Sequence, residues 1–469
     1  MSAQDQFAWP RAEAGTEHGV GGASVGVAAG KKRSRPREDA WASDGAATNE
    51  ITEIEETPQV LERKPDEVRD PPTAITVRLY DRASPAWSTR VLRSEAQFEE
   101  LRAAWSALLS ECEDANVFLS HEWLFSWWCS YRPKAELAIV VVEDAGRLRG
   151  IAPLMVEPVR RGGMTTKVLR FIGDGSGETD HISFVAARTN RAEVLRTLLD
   201  RIATLRWDVA EFNQMPADSA NARDLMDWIA HQRLLSSVTV TPCPVRRLPS
   251  TFDELLSSLP SRLRTSLRSS RKKLQQKYSV EFGLLGEHAE IDAALQALFA
   301  NHASRWQGKG QVGAFANPKR RDFYALLTPR LLKRGWLRFF YLKLDGRPVA
   351  HQYCFALDGT VMLLQEGFDF DLAQDNVGNV LRSLVFEHLI ESGAACYDFL
   401  AGVSRHKQSW SDGRVNDLRI RCGRRSARGW LFVSLPLMVE RAKDRLRPWR
   451  DRLFSRGDRH SARHPESQP

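Results

Sequence analysis

Apolar positions recur along this chain with two periods, near 3.6 and near 2, and the switches between them outline its elements. Phe98, Leu101, Trp105, Leu108 and Leu109 keep helical spacing, and residues 118–128 (FLSHEWLFSWW) predict a second helix with Ser120 as its N-cap. Strands are expected at 137–143, 149–156, 168–172 and 182–185. The first two are joined by the turn Asp144-Ala145-Gly146, and a glycine-rich loop spans 173–180. A helix over 192–205 and a strand over 208–212 follow. The later half runs the same way: helices at 261–278, 289–306 and 318–334, then strands at 337–344, 348–357 and 361–365. It closes with a helix at 378–392 stopped by Gly393 and a strand at 396–400. One order met twice predicts an α/β (α+β) protein of two tandem units, each with a mixed sheet flanked by helices.

Residues 1–72 show no such period and are rich in Gly, Ala, Ser, Glu and Lys. They cannot bury enough surface to offset their ordering entropy and are expected to be disordered. Their basic cluster at 31–35 reads as part of a solvated tail. Order is expected to begin with the alternating stretch 75–79. The domains expected are 73–245, 246–425 and a basic tail from 426 to 469.

Composition narrows the classes. Apolar content of 42% and charged content of 27% are ordinary for a globular protein. No apolar run reaches the roughly 18 to 20 residues that span a bilayer, and no secretory pattern opens the chain. The six cysteines have no metal-ligand spacing and read as reduced thiols. The expectation is a cytoplasmic protein, with peripheral contact at the inner face of the membrane as its one membrane role, and no metal. The net charge of +8 matters through its distribution. Residues 261–278 hold seven Lys or Arg and no acid, and 426–469 hold ten against five acids. An unpaired basic helix forgoes i,i+4 ion pairs, which favours an anionic partner.

The most informative stretch is 393–413. Asp398 stands between Tyr397 and Phe399 in a short apolar strand, and a turn at Gly402 leads to His406, Lys407 and Trp410. A carboxylate in such a strand needs a partner, and the turn is expected to return Lys407 towards it.

FLSHEWLFSWW, LRGIAPL, SRLRTSLRSSRKKL, HASRW, GRPVAHQYCF, EGFDFD and YDFLAGVSRHKQSW, in this order over about residues 90–425, resemble the CelD-like acetyltransferases of the GNAT superfamily. That family is associated with cellulose and exopolysaccharide biosynthesis. A weaker resemblance extends to the Fem peptidyltransferases, which carry two tandem GNAT-like domains. The resemblance implies an N- or O-acyltransferase using acetyl-CoA or another acyl-CoA. Its acceptor would be a sugar, an amino sugar, or a nucleotide- or lipid-linked sugar precursor, with a polysaccharide synthase complex as partner. The Fem-like alternative takes aminoacyl-tRNA as donor, which is the one nucleic acid expected. A third reading is a non-catalytic scaffold of the same complex.

The resemblance places the donor's phosphates at the helix opening with Gly378 and Asn379, where free N–H groups and the helix dipole favour an anion. The turn there, Gln374-Asp375-Asn376-Val377-Gly378-Asn379, has a single glycine where GNAT domains carry more. Glu366, at a strand end, is the candidate base. Asp398 and Lys407 are the candidate catalytic pair, and Asp180 in the glycine-rich loop stands where Fem proteins carry a functional aspartate. Arg264 and Arg268 of the basic helix, with Arg305 and Trp306, are the candidate substrate-binding residues. His351 reads as a core histidine.

Overall fold

The computed structural model describes residues 87–161, 163–307 and 313–439; the strand expected at 75–79 and the tail beyond 439 lie outside them. The strands are β1 (Ser88–Leu92), β2 (Glu136–Leu137), β3 (Ile139–Asp144), β4 (Arg147–Ala152), β5 (Leu154–Arg161), β6 (Met164–Phe171), β7 (Val185–Ala186), β8 (Val209–Pro216) and β9 (Leu235–Arg247). They continue with β10 (Val280–Leu284), β11 (Leu337–Leu344), β12 (Arg347–Leu357), β13 (Thr360–Phe368), β14 (Cys396–Asp398) and β15 (Gly413–Gly423). The helices of the first half are α1 (Glu95–Glu100), α2 (Arg102–Leu109), α3 (His121–Tyr131), α4 (Arg191–Ala203) and α5 (Ala220–His231). Those of the second are α6 (Phe252–Ser258), α7 (Ser261–Lys277), α8 (His288–Gln307), α9 (Pro318–Lys333), α10 (Val377–Glu391) and α11 (Arg405–Trp410).

Local signals set most of these boundaries. The Ser120 hydroxyl accepts from the Trp123 N–H at 3.1 Å and starts α3. Gly393, at φ +75°, ends α10 in the left-handed conformation that glycine adopts without cost. The mixed α/β architecture and the repeated order are both present. Each half has an edge strand, helices, antiparallel strands, a crossover helix and then a parallel strand. The crossover through α4 places β8 parallel to β6, and that through α10 places β14 parallel to β13.

The two halves are joined by exchange of their last strands. Among the described residues one sheet runs β10-β11-β12-β13-β14-β9-β15-β8-β6-β5-β2, beside a four-stranded sheet β1-β3-β4-β7. β15 is the last strand in sequence, yet it lies between β8 and β9, antiparallel to both. In turn β9, which closes the first half and crosses the boundary expected at 245, pairs with β14 of the second. Both strands were missed in the sequence. Pro242 and Pro244 within β9 argue against a central strand, and the charges of β15 mask its alternation of Leu418, Ile420 and Cys422.

The core crosses the seam as well. Trp123 and Phe118 of the first half pack edge-on against Phe355 of the second, at ring-centroid distances of 5.3 Å. Glu178, in the 173–181 loop, is buried against Arg320 of α9 and accepts from the Tyr324 hydroxyl at 2.9 Å. Two halves that share a sheet and a core should unfold together. Urea denaturation followed by tryptophan fluorescence and by circular dichroism should give one coincident transition. A fragment ending at residue 260, which lacks β15, should fail to show it.

Candidate functional site

The exchanged strands bring four chain segments to one point. β14 carries Asp398, β15 carries Asp417, β9 carries Cys243, and the loop after β6 delivers Asp180 and His181. Asp417 is fully buried, and Asp398, His181 and Cys243 are also buried. The His181 ring lies between two carboxylates. Nδ1 is 2.8 Å from Asp417 Oδ1, and Nε2 is 3.1 Å from Asp398 Oδ2. The His181 backbone N–H adds a bond to Asp417 Oδ2 at 3.1 Å. Burial works to lower the imidazole's pKa, but the hydrogen bonds and charges of Asp398 and Asp417 outweigh it and hold the group well above its ordinary 6.5. At neutral pH the ring is therefore an imidazolium that donates to both acids.

The backbone around the cluster is held in costly conformations. His181, Gln214 and Leu400 all have positive φ, at 46°, 59° and 59°. For residues with a side chain this costs on the order of 1 kcal/mol each and persists only where contacts impose it. The contacts are visible. Asp398 Oδ1 accepts the Leu400 N–H at 2.7 Å, and Asp180 accepts the Gln214 amide at 2.7 Å and the Ala401 N–H at 3.2 Å. Gln214 C=O accepts the Ile182 N–H at 2.9 Å. Burial pushes the Asp180 carboxyl up, opposed by His181 and assisted by Asp417.

Lys407 does not form the expected direct pair with Asp398, whose free oxygen is taken by His181. The α11 helix, N-capped by Ser404, instead points the ammonium at the carbonyls of Ala401 (2.9 Å) and Leu400 (3.4 Å). Lys407 thus ties down the turn that carries Asp398. Its burial lowers its pKa, against the pull of Asp180, Glu366, Cys243 and Asp398.

The same short helix connects to the other expected residues. Glu366 on β13 is buried, ion-paired with the fully buried Arg382 of α10, and accepts from the Gln352 amide at 3.2 Å. Arg382 donates to the His406 ring at 2.8 Å and stacks over Phe399 at 5.2 Å. Asn379 accepts from Trp410 Nε1 at 3.0 Å and lies 3.2 Å from His406 Nε2. Glu366, Asn379, Asp398, Lys407 and Asp180 therefore belong to one connected network around α11. Within it the Glu366 carboxylate is engaged as the counter-ion of Arg382.

α10 opens at Asn376 with no side chain capping its first turn, next to the buried Gly378. The Asn376 amide donates to Ser266 (3.3 Å) and Ser270 (3.2 Å) of α7. Ser266 also lines a surface hollow of about 530 Å³ with Ser261, Arg262, Thr265 and Ser269. This helix start, with hydroxyls and an arginine alongside, fits a phosphate. Asp375, 3.4 Å from the Lys277 ammonium, is the one carboxylate in the turn itself beside Asn376. Of the expected substrate arginines, Arg264 caps the carbonyl end of α6 through Ser257 C=O at 3.0 Å, and Arg268 is exposed. Arg305 and Trp306 fall where the side chains lie outside the described residues. His351 is buried, and burial pulls it down to about 4.

A cavity of about 220 Å³ opens beside the cluster, lined by His181, Asp398, Asp417, Asn116, Asp114 and Asp218 among others. One ligand atom each from His181, Cys243 and Asp417 lie within 4.8 Å of one another, the one such group found among the described residues. Both ring nitrogens of His181 are already engaged by carboxylates. Sequence reasoning missed His181 and Asp417. Asp417 lies in β15, where neighbouring charges hide the alternation that would have marked it, and His181 directly follows Asp180.

Residues 261–408, in the second half of the chain, match the family model described as an acetyltransferase (GNAT) domain. The match spans the basic helix α7, the α10 start, Asp398 and Lys407. No curated protein sequence matches the chain. Among solved structures it is similar to FemX (11% identity, 70% of this chain and 96% of that chain, TM-score 0.47). It is also similar to L-PGS from Bacillus licheniformis (12%, 70% and 93%, 0.43). A third is a tandem GNAT protein from the clavulanic acid biosynthesis pathway (11%, 72% and 100%, 0.39).

Replacing His181 by Gln should leave Asp398 and Asp417 buried without their shared cation, at a cost of about 3 to 5 kcal/mol. Because the folded pKa of His181 is raised, its stabilisation is complete below about pH 6.5 and is lost as pH rises through the folded value. Denaturation of wild type and His181→Gln should therefore differ most near pH 6 and converge in alkali.

Proposed function

We propose that the protein transfers an acyl group from acyl-CoA to a sugar, an amino sugar or a related precursor in exopolysaccharide or envelope assembly. Asp398 would be the proton acceptor. Acyl-CoA would supply the activated carbonyl, with its phosphates held by the first-turn N–H groups of α10 at Gly378 and Asn379, beside Ser266 and Arg262. The GNAT match supports the donor class, and the resemblance to CelD-like enzymes supports the acceptor class.

One observation carries the reading. Asp398 lies within the matched domain, lines a cavity, and is held in place by Leu400 N–H and by His181. Asp417 keeps His181 oriented, so that Asp398 can take a proton from an acceptor amine or hydroxyl entering the cavity. Lys407 is a positioning residue, which fixes the turn from 400 to 402. Arg382, backed by Glu366, places His406 and hence joins the helix start to this turn.

The test is release of free CoA thiol from acetyl-CoA in the presence of sugar and amino-sugar acceptors. Asp398→Asn should lower kcat by about 10² or more, the usual worth of a general base, with KM for acyl-CoA nearly unchanged. Arg262→Ala should instead raise KM for acyl-CoA. Undiminished turnover in Asp398→Asn would remove the base, and binding of charged tRNA without binding of CoA would replace the donor by the Fem-like one.

A further inference from the structure

Residues 178–181 belong to no helix or strand, yet each of their four side chains is anchored to a different part of the fold. Glu178 is buried against Arg320 of α9 and accepts from the Tyr324 hydroxyl at 2.9 Å. Thr179 accepts from Trp123 Nε1 of α3 at 3.0 Å. Asp180 takes the Gln214 amide of β8 and the Ala401 N–H, and His181 lies between Asp417 and Asp398. Arg320 and Tyr324 stand four residues apart, so a single face of α9 meets Glu178.

His181 holds a φ of 46°, a conformation that its surroundings must impose. On its C-terminal side the Ile182 N–H is bonded to Gln214 C=O. On the other side Gly173, Gly175 and Gly177 all have positive φ, which glycine adopts without cost, so the loop leading in has little direction of its own. Glu178 is the charged anchor that follows those glycines. A fully buried ion pair is a poor choice for stability alone, since apolar residues of the same volume do as well or better. What it adds is direction. A carboxylate that must meet both a guanidinium and a hydroxyl fixes where the backbone runs, and His181 stands three residues further on.

We propose that Glu178 is a positioning residue of the acid site: gripped by Arg320 and Tyr324, it sets the path of residues 178–181 and so places the His181 ring against Asp398. A helix of the second half thereby orients the acid of that half through a loop of the first. The effect on turnover rests on the reading of Asp398 as proton acceptor, whereas the effect on His181 rests on the geometry alone.

The experiment pairs stability with the titration of His181. Glu178→Leu/Arg320→Met replaces the pair by apolar side chains, and its urea midpoint at about pH 7 should equal or exceed that of wild type. The His181 ring, followed by NMR of ring-labelled histidine in the full chain and assigned with His181→Gln, should nevertheless loosen from the two acids. Its titration, well above 6.5 in wild type, should move down by about one pH unit or more. In the CoA-thiol assay kcat should fall at least about tenfold, with KM for acyl-CoA nearly unchanged. Tyr324→Phe keeps the ion pair and the ring, and should move both readings in the same direction by a smaller amount. A stable double variant that keeps the wild-type titration, or keeps the wild-type kcat while the titration shifts, would overturn the proposal. So would a Tyr324→Phe protein equal to wild type in both, should the double variant not fold. Wild type that releases no CoA thiol with any acceptor removes the acyl-transfer reading instead, and the titration then decides the placement by itself.

Discussion

The position of β15 governs the rest of the molecule. A strand that ends the second half in sequence completes the sheet of the first, and the strand that ends the first lies against the second. Without that exchange Asp417 would not stand beside His181, and Asp398 would face a solvent gap where β9 now lies. The exchange also makes the domains inseparable in energy. A seam built of backbone hydrogen bonds, a shared aromatic cluster and the buried Glu178–Arg320 pair cannot open without exposing apolar surface and uncompensated charge together.

That constraint explains how three aspartates and a lysine share a small buried volume. Asp398 and Asp417 are neutralised by one imidazolium, while Asp180 is satisfied by an amide and a backbone N–H. Lys407 neutralises none of them within ion-pair distance and bonds two carbonyls instead. The arrangement concentrates acidity on the cavity side and fixes it with strained backbone at His181, Gln214 and Leu400. Strain of this kind marks a place where geometry is maintained against local preference. A cluster meant only for stability would be better served by apolar packing.

Most of the elements were legible because they bury one face and therefore keep a period: α3, α4, α7 to α10, and β11 to β13. The final exchange was not legible. It depends on a pairing between strands far apart in sequence, and both strands lack the usual cues, β9 through its two prolines and β15 through its charges. The candidate site followed the same division. Asp398 and Lys407 stood out from their setting around a short apolar strand and turn, whereas Asp180, Glu366 and Asn379 came from the family resemblance; all five are in the network. The expected partner of Asp398 was Lys407, the lysine that the following turn could return towards it, whereas the cation that meets it in space is His181, which lies 217 positions away.

The helix start proposed to hold the donor and the acid proposed to accept the proton stand at different ends of a single helix–strand unit. α10 begins at the Asn376 turn and is followed by β14, which carries Asp398; α11 then folds back so that His406 touches Asn379 and Lys407 secures the Asp398 turn. A shift at the helix start would therefore reach the acid through six residues of α11, with no need for a distant relay. The first half contributes rigidity to this unit by lending His181, and the last strand contributes Asp417 to hold His181. This division of labour gives a physical reason for a tandem architecture in which only the second half carries the acyltransferase match: the first half buries and orients the acid that the second half presents.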